Sequence, residues 1–350
     1  MSNPYLELLE QVSPATFARD PKPGWAGPGT LFGCRAVDLS EVPAGCQYVA
    51  AGIPFDGTAS SRPGASEGPR AIRQASLVFS SYLDSLGEHE MLDTRTGSVF
   101  RYAKANVVDA GDLHVYPTDT RRNFQAVATE VELLARSGAT PVLLGGDHSI
   151  GFATFVGVQR ALSARQPQSR LGLIQIDHHF DFGANSTIHG PLYHGSNARR
   201  ISELPSMQPD RMAFVGVGSI TRKGQFDGLL KAGSHIVPAR EMRARGVAAA
   251  LEPVVAAFRR NCTAVHLSID IDVLDCSVAP GTGNVTIGGL SGGELMDAVE
   301  VIRQLPLAGI EIVEVSPRYD PTGRTPQIAA QLLFELLFRE YRKPEASAIP

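Results

Sequence analysis

Residues 174–182 read IQIDHHFDF, an apolar run followed at once by two aspartates and two adjacent histidines. The apolar run predicts a buried β-strand, and the polar cluster lies where that strand ends. Carboxylate and imidazole groups cost free energy when buried unless they are paired, hydrogen-bonded or bound to a metal. The stretch therefore predicts a strand of the core and requires a partner for its polar end.

From about residue 46 onward, strand-like apolar runs alternate with helical patterns, which is typical of an α/β domain with a parallel sheet. Several runs are apolar without alternation, as expected of strands that are covered on both faces. The predicted strands are Tyr48–Ile53, Asn106–Asp109, Thr140–Leu144, Leu171–Asp177, Met212–Val217, His235–Val237, Thr263–Asp270 and Gly309–Val315.

Helices are predicted between these strands. Apolar residues from Phe124 to Ala135 follow the spacing of an amphipathic helix. Ser291 and Glu294 predict a capping box at the start of another. A Thr-Pro pair predicts the start of a final helix over Gln327–Arg342.

The domain organisation is predicted to be simple. Residues 1–45 include a stretch rich in Gly and Pro, which predicts an N-terminal arm packed on the body or on a neighbouring subunit. Residues 46–350 carry no internal repeat and no convincing linker, so we expect a single domain there.

Composition excludes several classes of partner. A formal net charge of −4 argues against nucleic acid or an anionic membrane as the main partner. The four cysteines form no CxxC pair, which is typical of reduced thiols in a cytosolic protein. No apolar run reaches the ~18 residues of a membrane span, and the first residues do not resemble a signal peptide. We therefore expect a soluble, cytoplasmic protein.

Polar side chains follow four of the predicted strands, where ligands bind in open α/β sheets. GGDHS (145–149), DHHFD (177–181) and DIDVLD (270–275) each come directly after an apolar run, and Glu314 lies near the end of the last strand. Side chains two residues apart on a strand point to the same side. Asp177, His179 and Asp181 would then share one side, whereas His178 would point away.

If these segments meet, their carboxylates would repel one another unless positive charges lie between them. Two like charges ~4 Å apart cost roughly 4 kcal/mol at an effective dielectric constant of about 20. No Lys or Arg lies within these segments, and two divalent cations would match four carboxylates. Carboxylate and imidazole donors suit Mn²⁺, Co²⁺, Ni²⁺ or Zn²⁺, and the oxygen-rich mixture favours Mn²⁺. Each motif alone could be a capped turn, a calcium-like loop or a solvated strand end; the hypothesis depends on the whole set, whose members are His148, Asp177, His179, Asp181, Asp270 and Asp272.

At these residues the sequence resembles the ureohydrolase family of arginases, agmatinases and related guanidino-compound hydrolases. The resemblance runs from about Gly52 to Leu337 and is nearest to the agmatinase-like branch. The motifs that carry it, in order, are GIPFDGTASSRPGASEGPRAIR (52–73), DAGD (109–112), GGDHSI (145–150), DHHFD (177–181), HGSNAR (194–199), LSIDIDVLDCSVAPGTG (267–283) and VEVSP (313–317).

The resemblance implies a fold, an assembly and a ligand set. The fold would be a three-layer α/β sandwich with a central, mostly parallel eight-stranded sheet, assembled as a homotrimer or homohexamer and in some relatives alongside a homologous second subunit. One metal would be held by His148, Asp177, Asp181 and Asp270. The other would be held by Asp177, His179, Asp270 and Asp272.

The resemblance also implies a reaction. Hydroxide held between two cations would attack the carbon of a guanidinium, releasing urea or a related product and an amine. His194 would be the acid/base histidine, and Glu314 would hold the small cationic substrate by charge-assisted hydrogen bonds. His178 is expected to support a neighbouring ligand or to be structural, and His189 could be either structural or functional.

Three segments on the substrate side depart from the agmatinase pattern, which leaves the substrate open. They are residues 182–199, 216–220 and 284–290. Guanidinobutyrate, guanidine and a biguanide such as metformin are alternatives to agmatine, and Ni²⁺ is an alternative to Mn²⁺. Two rival classes are a single-metal zinc amidohydrolase of the deacetylase type and a non-catalytic subunit, but the first would not need the full ligand set and the second would have lost ligands.

Overall fold

The structure is a computed structural model that describes residues 29–79, 89–95, 97–218 and 220–341. Most of the predicted N-terminal arm and the last residue of the predicted final helix, Arg342, lie outside these ranges. The described strands are β1 (Arg35–Ala36), β2 (Tyr48–Gly52), β3 (Met91–Asp93), β4 (Ser98–Tyr102), β5 (Val107–Asp112), β6 (Thr140–Leu144), β7 (Leu171–Ile176), β8 (Met212–Val217), β9 (His235–Pro238), β10 (Ala264–Asp270), β11 (Leu307–Val313) and β12 (Arg339–Tyr341). The described α-helices are α1 (Gly68–Ser76), α2 (Thr120–Arg136), α3 (Ile150–Arg165), α4 (Asn197–Ser202), α5 (Lys223–Ala232), α6 (Ala239–Arg245), α7 (Val247–Asn261), α8 (Gly292–Ile302) and α9 (Arg324–Phe338).

The central sheet has the strand order β1-β5-β2-β6-β11-β10-β7-β8-β9, and every pair in it is parallel. The predicted α/β class with a mostly parallel sheet is confirmed. The sheet has nine described strands, however, one more than predicted. The additional strand is the two-residue β1, which lies inside the predicted arm beside β5. A strand this short has no periodicity that a sequence pattern could reveal.

Helices cover both faces of the sheet, as predicted for a three-layer sandwich. Alternate residues of β6 and β7 belong to two different buried apolar clusters, and successive side chains of a strand point to opposite faces. One cluster joins the sheet to α2 and α3, and the other joins it to α7, α8 and α9. The capping box of Ser291 and Glu294 at the start of α8 is confirmed.

A second, antiparallel sheet of β12, β4 and β3 was not predicted. The predicted final helix ends at Phe338, short of Arg342, because the backbone of Arg339 is extended and pairs with Tyr102. The buried Arg339 also bonds to Asp93, with Nη2 2.7 Å from Oδ2, which ties the chain end to β3. No helix in the described ranges is both long and apolar enough to cross a membrane.

The sheet order positions the polar motifs. Strands β6, β11, β10 and β7 are consecutive neighbours in the sheet, although they are far apart in sequence. Because they are parallel, their carboxyl ends lie along one edge. All four predicted polar segments therefore meet at the middle of that edge.

Candidate metal centre

The first group of potential ligands lies around His148, in the turn between β6 and α3. Its Nδ1 atom lies 2.9 Å from Asp181 Oδ2, 3.1 Å from Asp270 Oδ2 and 3.3 Å from Asp177 Oδ2. One ligand atom from each of these four residues lies within 4.8 Å of those of the others. The structure thus brings together the four residues predicted to share one cation.

The second group shares Asp177 with the first and adds His179 and Asp272. His179 Nδ1 lies 3.1 Å from Asp272 Oδ2 and 3.5 Å from Asp177 Oδ1. Asp270 has a carboxylate oxygen within 4.8 Å of the other ligand atoms in the first group but not in the second. Its Oδ1 nevertheless accepts a hydrogen bond from the Asp272 backbone N–H at 2.9 Å. A bridging role for Asp177 fits this arrangement, whereas that of Asp270 stays a prediction.

Backbone strain is concentrated at the site. Asp181 and Glu314 have φ angles of 45° and 64°, and Phe32 is the only other non-glycine residue in the described ranges with a positive φ. Such conformations cost on the order of 1–3 kcal/mol and persist only where the surroundings hold them. Both carboxylates contact His148, Asp181 Oδ2 at its Nδ1 and Glu314 Oε1 at its backbone N–H, each at 2.9 Å.

Electrostatics favours cations in both groups. Burial lowers the pKa of His148, but its three carboxylate neighbours raise it well above the usual value. Burial, reinforced by Asp272 and Asp177, raises the pKa of Asp270 well above its usual value. The pKa of Asp272 is raised to about 6, chiefly by burial, and its Oδ1 is buried without a hydrogen-bond partner. The donor set therefore fits two divalent cations, which would relieve this repulsion and fill the unpaired position.

The predicted acid/base residue, His194, lies beside the ligand groups. Its Nδ1 lies 3.0 Å from Glu314 Oε1, and its Nε2 lies 2.9 Å from Ser60 Oγ. Burial lowers the pKa of His194, but Glu314 raises it to about 9. Glu314 Oε1 also accepts a hydrogen bond from the His148 backbone N–H at 2.9 Å, so this carboxylate connects His194 to the turn that carries a predicted ligand.

A buried polar network beneath His148 was not predicted from the sequence. His148 Nε2 lies 2.9 Å from Ser268 Oγ, and Thr154 Oγ1 donates a hydrogen bond to Glu311 Oε2 at 2.6 Å. Burial raises the pKa of Glu311, but His266, His148 and Ser268 lower it to about 2. The sequence signal for this network was the presence of charged and polar residues inside the apolar strands β10 and β11. A carboxylate buried there needs hydrogen-bond partners.

A cavity of about 320 Å³ leads from solvent to this site. His179, whose side chain is 40% exposed, and His194 line the cavity, whereas His148 is fully buried and does not line it. The lining residues that the structure describes are His178, His179, Phe180, Asp181, Phe182, Gly183, Tyr193, His194, Gly195, Ile220, Thr221, Arg222, Gln225 and Asn284.

His178 and His189 lie outside the two ligand groups. His178 lines the cavity, and burial followed by the charge of His179 lowers its pKa. It packs against Gly218, where a Cβ atom would lie 1.9 Å from His178 Nε2. His189 is half-buried and does not line the cavity. The position of His189 agrees with a structural role, whereas the expectation that His178 points away from the site is wrong, because His178 lines the cavity.

A shared-carboxylate cluster at the carboxyl edge of a parallel sheet is the type of site found in metal-dependent α/β hydrolases. A sequence model of the arginase family matches residues 46–338. The chain is 32% identical over 290 residues to guanidinobutyrase of Pseudomonas aeruginosa, which covers 82% of this chain and 84% of that protein. It is 29% identical over 331 residues to the mitochondrial guanidino acid hydrolase of Homo sapiens, covering 93% and 88% of the two chains.

Structural similarity agrees with these matches. The solved structure of proclavaminate amidino hydrolase from Streptomyces clavuligerus has a TM-score of 0.71 and 27% identity, covering 90% of this chain and 98% of that one. This chain belongs to the arginase family, as the motifs predicted. It is a ureohydrolase of guanidino compounds, a hydrolase of C–N bonds in linear amidines with the binuclear metal site of its family.

Proposed function

We propose that this chain uses two divalent cations to hydrolyse a C–N bond of a guanidino compound, releasing urea or a related product and an amine. The observation that carries the proposal is the pair of buried ligand groups that share Asp177. His148, Asp177, Asp181 and Asp270 would hold one cation, and Asp177, His179, Asp272 and Asp270 the other. When bound, such cations make a water nucleophilic near neutral pH and polarise the substrate.

Mn²⁺ is our first choice for the metal, and Ni²⁺ is the alternative. Each proposed ligand set has more carboxylates than imidazoles and no thiolate, which favours Mn²⁺. None of the six proposed ligands is a cysteine, a ligand that would favour zinc.

The residues beside the ligands support proton transfer and substrate binding. His194, held protonated by Glu314, would donate a proton to the leaving amine. Glu314 Oε1 is occupied by His194 and His148, whereas Oε2 lies beside Gly283 of the PGTG segment. We assign Oε2 to one N–H of the substrate guanidinium, because a carboxylate accepts such hydrogen bonds strongly.

Metal analysis and a product screen test the proposal. Purified protein should hold about two transition ions per chain and release urea from at least one member of a panel of guanidino and biguanide compounds, assayed with Mn²⁺ and Ni²⁺ separately. Asp270→Ala should lose both metal and turnover, whereas Asp210→Ala, which changes an exposed carboxylate outside both ligand groups, should lose neither. One ion per chain would favour the deacetylase type, and none would favour a non-catalytic subunit.

The substrate and the assembly are finer predictions. Agmatine, 4-guanidinobutyrate, guanidine and biguanides belong in the panel, and two of the similar proteins are named for guanidino acids. A homotrimer or homohexamer, with or without a homologous second subunit, is proposed from family membership. Sedimentation equilibrium of the purified chain measures the number of subunits in the oligomer that it forms without a second subunit. The cytoplasmic location stays a prediction.

A further inference from the structure

Arg222, the residue before α5, lies on the wall of the cavity that leads to the metal centre. Among the described lining residues it is the only lysine or arginine. Its side chain makes no hydrogen bond or ion pair with any residue that the structure describes, so its charge is not neutralised by a neighbouring carboxylate. A guanidinium without an ion-pair partner on a cavity wall can bind an anionic group of a ligand.

One acidic side chain lines the same cavity. Asp181 is the only carboxylate among the described lining residues, and it belongs to the first group of proposed metal ligands. A substrate with an ammonium group at its far end would therefore meet the Arg222 guanidinium and no free carboxylate. A substrate with a carboxylate there would meet Arg222, and the side-chain amides of Gln225 and Asn284 line the same cavity.

We propose that the substrate is a guanidino acid, whose guanidino group lies at the metal centre and whose carboxylate binds Arg222. The inference rests on the proposed function and adds the chemistry of the second end of the substrate. The cavity, at about 320 Å³, is at the small end of the range for small-molecule sites, which suits a short, unbranched compound.

A matched substrate pair tests the inference directly. Agmatine and 4-guanidinobutyrate have similar length and differ in a terminal ammonium or carboxylate, and butylguanidine is the neutral reference. With the Mn²⁺-loaded and the Ni²⁺-loaded protein, kcat/KM should be highest for 4-guanidinobutyrate or for its homologues 3-guanidinopropionate and guanidinoacetate.

Substitution of Arg222 should change the KM and inhibition constants of compounds that carry a carboxylate and leave those of the neutral analogues unchanged. Arg222→Gln should raise KM for 4-guanidinobutyrate about tenfold or more, because one charge-assisted hydrogen bond is lost, and should leave KM for butylguanidine unchanged. The inhibition constant of 4-aminobutyrate, a product, should rise in parallel, whereas that of butylamine should not. Lys223→Gln is the matched control, since it removes the same charge from the next residue, which does not line the cavity.

The outcomes separate the two proposals. Preference for agmatine or butylguanidine, or an unchanged KM for 4-guanidinobutyrate in Arg222→Gln, would overturn the carboxylate site and leave the guanidino hydrolase standing. Arg222 is exposed, so its substitution should not affect folding, and an unchanged melting temperature verifies this. Absence of urea from every guanidino compound, despite two bound ions, would overturn both proposals.

Discussion

His194 Nδ1 lies 3.0 Å from Glu314 Oε1, although 120 residues separate the two in sequence. The two are the residues for which a proton-transfer role and a guanidinium-binding role were predicted. Their contact couples those roles, because the negative charge of Glu314 keeps a proton on His194.

We expect His194→Asn to lower turnover by about 10²–10⁴-fold, the usual contribution of a general acid, because the leaving amine would lose its proton donor. Metal content should stay at the wild-type value, since His194 belongs to neither ligand group. Steady-state kinetics and metal analysis measure the two effects. His189→Asn is the control, because it makes the same change in the same loop at a residue that does not line the cavity. Equal losses in both variants would contradict the assignment.

Glu311 should strengthen metal binding although it is not a proposed ligand. It is the cross-strand neighbour of Ser268, whose Oγ lies 2.9 Å from His148 Nε2. Glu311→Gln should weaken Mn²⁺ binding about 10–100-fold, the usual effect of losing a group that orients a histidine ligand. Competition with a fluorescent chelator measures the dissociation constant.

The control for this substitution is Glu130→Gln. Glu130 is also buried and accepts a hydrogen bond from the His114 backbone N–H at 2.8 Å, away from the proposed ligands. That variant should lose stability without losing Mn²⁺ affinity. An unchanged dissociation constant in a folded Glu311→Gln protein would show that the network does not act on the metal centre.

Gly146, in the GGDHS segment, leaves no room for a side chain. A Cβ atom there would lie 1.8 Å from the backbone oxygen of Phe55, which cannot move as freely as a side chain. Gly146→Ala should lower the free energy of unfolding by about 1–3 kcal/mol and weaken metal binding by displacing His148. Urea denaturation measures the first effect. Gly224→Ala, where a Cβ would meet nothing within 4 Å, should leave metal binding unchanged and should not lower the free energy of unfolding.

Asp93 should make the stability depend on pH. Burial raises its pKa, but hydrogen bonds from Arg339 and Arg95 outweigh burial and hold the pKa below its usual range. The stabilisation is therefore complete above the pKa of an unfolded aspartate, about 4, and is lost as the pH falls from there toward the folded-state pKa.

Asp93→Asn should accordingly lower the free energy of unfolding by about 1–3 kcal/mol at pH 7. The difference from wild type should stay constant down to about pH 5 and shrink below about pH 4. Asp297→Asn removes the other, exposed partner of Arg95 and should cost less than about 1 kcal/mol. A difference for Asp93→Asn that grows on acidification would contradict the sign of this linkage.

The class of the fold could be predicted from the sequence because its signals are local. Alternation of apolar strands with helices indicated the parallel sheet, and the capping box of Ser291 and Glu294 indicated the start of α8. The polar segments after β6, β7 and β10 were visible for the same reason, since each adjoins its own strand. Elements of two or three residues, such as β1 and β3, have no period to detect and were missed.

The residues of the candidate site could thus be predicted from separate segments of the sequence. The binding of metal ions there could be predicted from the same segments. Only the tertiary structure decided that β6, β11, β10 and β7 lie side by side, that Glu311 pairs across strands with Ser268 beside His148, and that Arg222 lines the cavity. The reason is physical: a sequence pattern reports the neighbours of a residue along the chain, whereas strand order and loop conformation follow from packing between residues that are remote in sequence.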